Sequence, residues 1–281
     1  MRVSSGRRVD PMREHIRFQS FPIAGIQSMT AASGRSFPRH THDQYGVGVV
    51  DAGGHSSWSG RGQVEAGPKT FISVNPGEVH DGHAMGRQLR SWRMFYFDPT
   101  VIEQMRCEIL GGGRSELTIA APVFADPNLH SLFNAAFAHV AATVEASADT
   151  MSAETSLLTF VAGLLRHSTS KANLSAATAD IRRAQQRIDD DPTAPLSLAD
   201  LAHDAGLSRF QLLRAFARDL GLTPHAYIMQ RRLARARRLV LAGSALAEVA
   251  AATGFYDQSH LNRCFVRQFG VTPRRYRERR G

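Results

Sequence analysis

The chain has 281 residues, of which 43% are hydrophobic and 21% charged, a balance typical of a globular protein with two domains of ordinary size. Its apolar runs are shorter than the roughly 20 residues of a membrane helix, and no apolar segment follows the basic N-terminus, so a cytoplasmic protein without a membrane partner is expected. The two cysteines are too few for a disulfide framework or a zinc–cysteine cluster.

The first half of the chain has the pattern of a β domain over residues 15–126, preceded by a disordered tail over 1–14. Short β-rich runs alternate with Gly and Pro, as in YGVGVVDAGG, KTFISVNPG and LRSWRMFYFDP. This rhythm indicates an all-β sandwich or barrel.

Residues 127–169 are predicted to form two helices, at 127–145 and 152–168, because their apolar residues recur at helical spacing. The second helix carries an apolar stripe that either packs on the β domain or forms a dimer interface, and dimerisation is favoured. The stripe consists of Leu157, Leu158, Val161, Leu164 and Leu165. A small polar run then predicts a linker over 170–178.

The last part of the chain, 179–281, is predicted to be helical and is strongly basic. Residues 180–281 hold 18 Arg, no Lys and 10 acidic residues, a net charge of +8 out of +9 for the whole chain. Such asymmetry favours a polyanionic partner, and the planar fork of Arg suits phosphates and guanine edges.

This basic part contains an internal repeat, in which residues 198–227 align with 246–276. Each copy predicts a short helix (197–205 and 245–252), a tight turn at Gly206 or Gly254, and a longer helix (208–220 and 257–269). That order is the helix-turn-helix pattern. The predicted helix starts are capped by Ser208, Asp257, Thr223 and Thr272.

The two longer helices each have an apolar face and an opposite face that bears arginine. Major-groove recognition needs such side chains, because Arg bonds guanine, Asn bonds adenine and Phe contacts the thymine methyl. The apolar faces hold Leu212, Phe216 and Leu220, then Leu261, Phe265 and Phe269; the opposite faces hold Phe210, Arg214 and Arg218, then Ser259, Arg263 and Arg267.

Between the copies, a helix of about 18 residues, hence about 27 Å long, separates the two units by about one DNA turn. Its arginines are expected partly to neutralise phosphates and partly to solvate the helix. They are Arg231, Arg232, Arg235, Arg237 and Arg238.

The segments AHDAGLSRFQLLRAF (202–216) and GFYDQSHLNRCFVRQFGVTPRRYR (254–277) resemble the AraC/XylS family of bacterial transcription regulators. This resemblance implies a double helix-turn-helix that binds two adjacent major-groove segments. It also implies an activator that contacts RNA polymerase. Leu213 departs from the pattern, because many members are polar there. The implied base-facing residues are Arg209, Phe210, Leu213, Arg214, Gln258, Ser259, His260, Asn262 and Arg263.

In the β domain, FPRHTHDQYGVGVVDAGG (37–54) and NPGEVHDGH (75–83) resemble the two motifs of a cupin-like effector domain, although the Glu usual in metal-binding cupins is missing. His40 and His42 face one side of a strand and would converge with His80. Three interpretations remain open: a divalent metal site, an effector pocket without metal, or a structural remnant. The candidate effector residues are His40, His42, Tyr45, Trp58, His80 and Trp92.

The sequence thus predicts an α+β multidomain protein: a cupin-like β-barrel with two following helices, then an all-α double helix-turn-helix domain. The favoured function is a ligand-responsive, sequence-specific transcription regulator, an activator and homodimer rather than an enzyme. The alternatives are a metal-dependent cupin enzyme fused to a DNA-binding domain, and a DNA-binding protein with a purely structural β domain.

Overall fold

The computed structural model describes residues 14–21, 24–59, 62–86, 89–110, 117–146, 150–170 and 179–278. Most of the predicted tail (1–14) and linker (170–178) therefore lies outside the described residues. No helix in those ranges is both long and apolar enough to cross a lipid bilayer.

The N-terminal domain is built from antiparallel strands in two larger sheets, with orders β1-β2-β9-β4-β7-β11 and β3-β8-β5-β6. A small third sheet pairs β10 with β12. The strands are β1 (His15–Ser20), β2 (Ile26–Ser33), β3 (Phe37–His40), β4 (Tyr45–Ala52), β5 (His55–Ser59), β6 (Gly62–Ala66), β7 (Phe71–Val74), β8 (His80–Ala84), β9 (Arg90–Phe97), β10 (Leu117–Ile119), β11 (Val123–Phe124) and β12 (Ser168–Ser170).

Strand β4 lies between β9 and β7 in the larger sheet and is buried on both faces from Tyr45 to Val50. Val47 and Val49 contribute to one apolar core and Val50 to another. Gly48 allows the close approach of β9, because a Cβ there would collide with the backbone of Arg93 and Met94. The YGVGVV run therefore combines β-branched residues for packing with glycine where the backbones approach.

Three helices cover one face of the larger sheet: α1 (Pro99–Leu110), α2 (Pro127–Ala146) and α3 (Thr150–Leu165). The apolar stripe of α3 faces this core, where Leu157, Val161 and Leu164 are almost fully buried. In this chain the stripe thus packs on its own β domain. Helix α1 corrects the expectation of an all-β run over 15–126, which overlooked the helical spacing of Ile102, Met105 and Ile109.

The C-terminal domain is helical throughout its described part. Its helices are α4 (Ala179–Asp190), α5 (Leu198–Ala205), α6 (Arg209–Leu220), α7 (Pro224–Leu241), α8 (Leu246–Ala252), α9 (Gln258–Phe269) and α10 (Pro273–Arg277). Helices α5 and α6 form the first helix-turn-helix unit, α8 and α9 the second, and the 18 residues of α7 join them.

The helix boundaries follow from the predicted caps. Ser208 and Gln211 form a capping box, and the Asp257 side chain accepts a hydrogen bond from the His260 amide at 2.6 Å. Thr223 and Thr272 cap α7 and α10, each with Pro at the first helical position. The sequence predictions for these four helix starts are confirmed.

The two domains share an apolar core. Ile16, Phe18, Met29 and Met94 of the larger sheet belong to one buried cluster with residues of the second helix-turn-helix unit. The Phe18 and Tyr276 rings lie 4.7 Å apart, which brings β1 directly against α10. The fold is α+β, with a cupin-like β domain packed on a double helix-turn-helix domain.

Candidate DNA-binding surface and effector cavity

The two longer helices of the helix-turn-helix units, α6 and α9, bury their predicted apolar faces. Leu212 and Phe216 of α6 and Leu261 and Phe265 of α9 have no exposed surface. Phe269, at the C-terminal end of α9, is also buried and packs in the core shared with the β domain. The helical phase inferred from the repeat is therefore confirmed.

The predicted base-facing residues lie on the opposite sides of these helices with different degrees of exposure. Arg209 and Arg214 of α6 are exposed, as are Gln258, Ser259 and Arg263 of α9. Leu213, His260 and Asn262 are half-buried, and the Phe210 side chain is outside the described part of the chain.

Two of the half-buried residues, His260 and Asn262, turn part of their side chains toward the interior of the domain. The His260 ring packs edge-on against Phe255 at 5.3 Å. The side-chain oxygen of Asn262 is buried without a hydrogen-bond partner in the described residues. The exposed residues at the N-terminal end of α9 are thus more accessible to a base edge than these two.

The arginines of α7 were expected partly to neutralise phosphates and partly to solvate the helix, but four of the five bond to other groups of the protein. Arg237 is buried and bonds to Gln27 and Asp43 of the β domain at 3.2 and 3.1 Å. Arg238 also bonds to Asp43, at 2.9 Å. Inside the helical domain, Arg232 donates to the carbonyl oxygens of Pro192 and Gly254, and Arg231 pairs with Asp189. The spacing of these arginines could not reveal acidic partners in another domain.

A cavity of about 100 Å³ lies between the β domain and the second helix-turn-helix unit. Its β-domain walls include Phe37, His40, His42, His55, Ser57, His80, Arg90, Trp92, Met94 and Tyr96, together with the ends of Ile16, Phe18 and Met29. The C-terminal domain closes it with Gln268, Phe269 and Tyr276. The C-terminal end of α9, the helix predicted to contact bases, is therefore part of the cavity wall.

Three histidines converge on this cavity, as the sequence predicted. The ring centroids of His40 and His80 lie 4.3 Å apart, and that of His42 lies 4.8 and 5.0 Å from them. Burial lowers the pKa of His40 to about 3 and that of His80 to about 4, and it lowers the pKa of His42 as well. All three imidazoles are neutral at physiological pH.

Of the remaining predicted effector residues, one lines the cavity and two point away from it. Trp92 lines the cavity, whereas Trp58 packs against the first helix-turn-helix unit because its neighbours Ser57 and Ser59 take the inward positions. Tyr45 faces the core beneath α1–α3, where its hydroxyl donates to the Leu117 carbonyl at 2.6 Å. Tyr45 and Trp58 are therefore not placed at this cavity.

Arg90 was missed by sequence reasoning and is the most unusual group of the cavity wall. It is 1% exposed, and its Nε and Nη1 have no hydrogen-bond partner among the described residues. Nη2 donates to the Arg35 carbonyl at 3.3 Å, and the guanidinium lies 4.8 Å from the centroid of the Trp92 ring. Burial lowers its pKa to about 10, so the group stays charged. The run LRSWRMFYF carries two arginines, Arg90 and Arg93, and an Arg inside such an apolar strand was the available signal.

Comparison with known proteins agrees with this architecture. Residues 201–279 match a helix-turn-helix domain family and residues 29–161 an AraC-like ligand binding domain family. The chain is 25% identical over 261 residues to the uncharacterized HTH-type transcriptional regulator YbfI of Bacillus subtilis, covering 90% of this chain and 88% of that protein. It is 35% identical over 88 residues to the HTH-type transcriptional activator RhaR of Yersinia pseudotuberculosis, 31% of this chain and 30% of RhaR.

Among solved structures, a variant of apo ToxT from Vibrio cholerae shares the fold with a TM-score of 0.58 at 12% identity, over 92% of this chain and 98% of that one. A ligand-binding β domain joined to two helix-turn-helix units defines a ligand-responsive, sequence-specific DNA-binding transcription regulator. The chain belongs to the AraC/XylS family.

Proposed function

We propose that a small-molecule effector in the cavity controls how the second helix-turn-helix unit is presented to DNA. The observation that carries this proposal is the shared wall: His40, Arg90 and Trp92 from the β domain face Gln268 and Phe269 from the end of α9. A ligand that favours one arrangement of these walls shifts the equilibrium between arrangements of the two domains.

The proposed DNA contacts are the exposed side chains of α6 and α9. Arg209, Arg214 and Arg263 supply guanidinium groups for guanine or phosphate, and Gln258 and Ser259 supply hydrogen bonds to base edges. The other predicted base-facing residues remain in the proposal as neighbours of these contacts: Phe210, Leu213, His260 and Asn262. The last three are half-buried and would have to move toward the groove.

The effector proposed for this cavity is an organic anion with an apolar or aromatic body. A buried guanidinium with unpaired N–H groups is costly, and a carboxylate accepts two parallel hydrogen bonds from such a fork. The surrounding Phe37, Trp92, Met94 and Phe269 side chains favour an apolar remainder.

We also propose that the protein acts in the cytoplasm as a homodimeric activator that contacts RNA polymerase, and that it catalyses no reaction. The similarity to RhaR, whose name describes an activator, supports this direction of control. Because the α3 stripe is used inside the chain, a dimer would use another surface, such as the exposed Leu110 and Met151. Sedimentation analysis with a Leu110→Glu, Met151→Glu variant tests this surface.

The central experiment selects DNA from a random pool with the purified full chain and compares binding to selected and random fragments at physiological salt. Preference for the selected fragments by a factor of about 10³ or more is expected of a specific regulator. Carboxylic acids of increasing size are then screened by thermal shift against wild type and Arg90→Gln. Equal binding of selected and random DNA contradicts the regulatory function, and shifts that persist in Arg90→Gln contradict the effector class.

A further inference from the structure

The histidine cluster has the donors and the support of a metal site. One nitrogen from each of His40, His42 and His80 lies within 4.8 Å of the other two. The Nδ1 of His40 lies 2.7 Å from the Pro38 carbonyl oxygen, and the Nδ1 of His80 lies 3.1 Å from that of Glu78. A carbonyl only accepts, so Nδ1 carries the proton in both rings and Nε2 keeps its lone pair. Such backbone partners orient the histidine ligands of metal sites.

The donor set also indicates which ion fits. Imidazole nitrogens suit Zn²⁺, Ni²⁺, Co²⁺ and Cu²⁺, whereas Mg²⁺ and Ca²⁺ prefer oxygen ligands. The nearby carboxylate of Asp81 is already engaged by the Trp58 amide at 2.6 Å. Three protein ligands beside a cavity leave a coordination position open toward a small molecule.

We propose that His40, His42 and His80 bind one divalent transition-metal ion of the Zn²⁺ type, and that its binding is transmitted to both helix-turn-helix units. The site requires no assumption about DNA, whereas the transmission rests on the proposed function. At Zn–N distances of about 2.0–2.1 Å, tetrahedral ligand nitrogens are about 3.3 Å apart. The farthest pair of nitrogens must therefore approach by at most about 1.5 Å.

The chain segments that carry the ligands are attached to the DNA-binding domain. Thr41, between two ligands, donates its amide to Gln230 of α7 at 3.3 Å and accepts from Gln268 of α9 at 3.1 Å. Val79, next to His80, is buried in the core of the first helix-turn-helix unit. Drawing His40 and His42 toward His80 therefore changes the relative position of the points where the two units dock.

The test uses the full-length protein freed of metal with a chelator. Zn²⁺ is titrated calorimetrically and Co²⁺ by visible absorption, on wild type and on His42→Ala, His80→Ala and His83→Ala. His83 is the matched control, because it lies on the same strand as His80 with a side chain 46% exposed. One ion per chain is expected, weakened at least about tenfold in both cluster variants and unchanged in His83→Ala.

Two measurements keep the proposal testable if a variant fails to fold. Imidazole ¹⁵N resonances of wild type should show three histidines shifted by Zn²⁺, and thermal melting of each metal-free variant reports its folding. Absence of a 1:1 complex, or affinity retained in both cluster variants, overturns the site and leaves the regulatory function standing.

Transmission is measured as the affinity for a DNA fragment selected by the protein, with and without Zn²⁺. A change of at least about fivefold is expected, the lower end of typical allosteric couplings. If Zn²⁺ binds at the cluster while DNA affinity stays constant, the transmission is refuted and the site is retained. If no DNA is preferred under any condition, the proposed function fails independently of the metal site.

Discussion

Arg237 offers a direct test of the contact between the two domains. Its guanidinium is 6% exposed and reaches three acceptors of the β domain: Gln27 at 3.2 Å, and the carboxylates of Asp43 and Asp98 at 3.1 and 3.8 Å. The perturbation is Arg237→Met, which keeps the apolar stem and removes the charge and its donors. From the sequence, Arg237 was one of five arginines expected either to neutralise DNA phosphates or to solvate the helix. A phosphate contact and an interdomain contact predict different measurements.

The size of the loss in the free energy of unfolding depends on whether the acceptors of Arg237 keep another hydrogen-bond partner. Removing one member of a buried ion pair costs about 3–5 kcal/mol when the other is left uncompensated. Asp43 keeps Arg238 at 2.9 Å, and the Gln27 oxygen keeps the Tyr276 hydroxyl at 2.8 Å. The expected loss in the free energy of unfolding is therefore smaller, about 2–3 kcal/mol. With a urea dependence of about 2–3 kcal/mol/M, the midpoint falls by about 1 M.

The assay is urea unfolding followed by tryptophan fluorescence, because Trp58 and Trp92 lie at the two contacts with the helical domain. Arg235→Met is the matched control, since Arg235 is exposed two residues away on the same helix. It should unfold like wild type. If Arg237→Met leaves the midpoint unchanged but lowers the salt dependence of DNA binding by about one unit, Arg237 contacts phosphate and the interdomain role is wrong.

Two further predictions concern base recognition and sheet packing. Arg263→Ala should weaken binding to the selected DNA by about 1–3 kcal/mol and relax specificity at one base, as measured by quantitative gel shifts. Arg235→Ala, at an exposed arginine of α7, should not change specificity. Equal losses on selected and random DNA would exclude base contact by Arg263. Gly48→Ala should prevent folding of the β domain, because the added Cβ would collide with the backbone of β9. The expected result is loss of the cooperative thermal transition. Gly67→Ala is the control and should melt like wild type, because no heavy atom lies within 4 Å of its added Cβ.

The helical domain could be predicted closely because its signals are local. Caps such as Ser208 and Asp257, and the repeated apolar spacing around Leu212 and Leu261, depend on residues within a few positions of one another. The histidine cluster was accessible for the same reason, since two of its members are two residues apart. The expected shared strand is wrong, however, because β3 ends at His40 and His42 lies just beyond it. What these signals could not supply is the partner of an exposed-looking charge, as Arg237 illustrates.

The effector cavity was predicted only in part because its walls come from distant parts of the chain. Side chains alternate between the two faces of a strand, so an inward-facing Ser57 places Trp58 on the outer face, away from the cavity. Which residues of β5 face inward depends on its register with β6 and β8, which the sequence does not show. Gln268 and Phe269 belong to a helix that the sequence predicts to bind DNA. No sequence pattern connects them with the histidine segment, since Gln268 and its partner Thr41 are 227 positions apart. Such walls depend on domain docking.

The shared wall also sets a quantitative condition on regulation. Coupling between two binding sites is reciprocal: if Zn²⁺ in the cluster changes DNA affinity by some factor, DNA must change Zn²⁺ affinity by the same factor. Chelator competition with and without the selected DNA measures the second factor. Gln268→Met should bring both factors toward one, because it removes the hydrogen bond that Gln268 donates to the Thr41 carbonyl at 3.1 Å and leaves the ligands in place. Undiminished coupling in this variant would show that the signal reaches α9 by another contact.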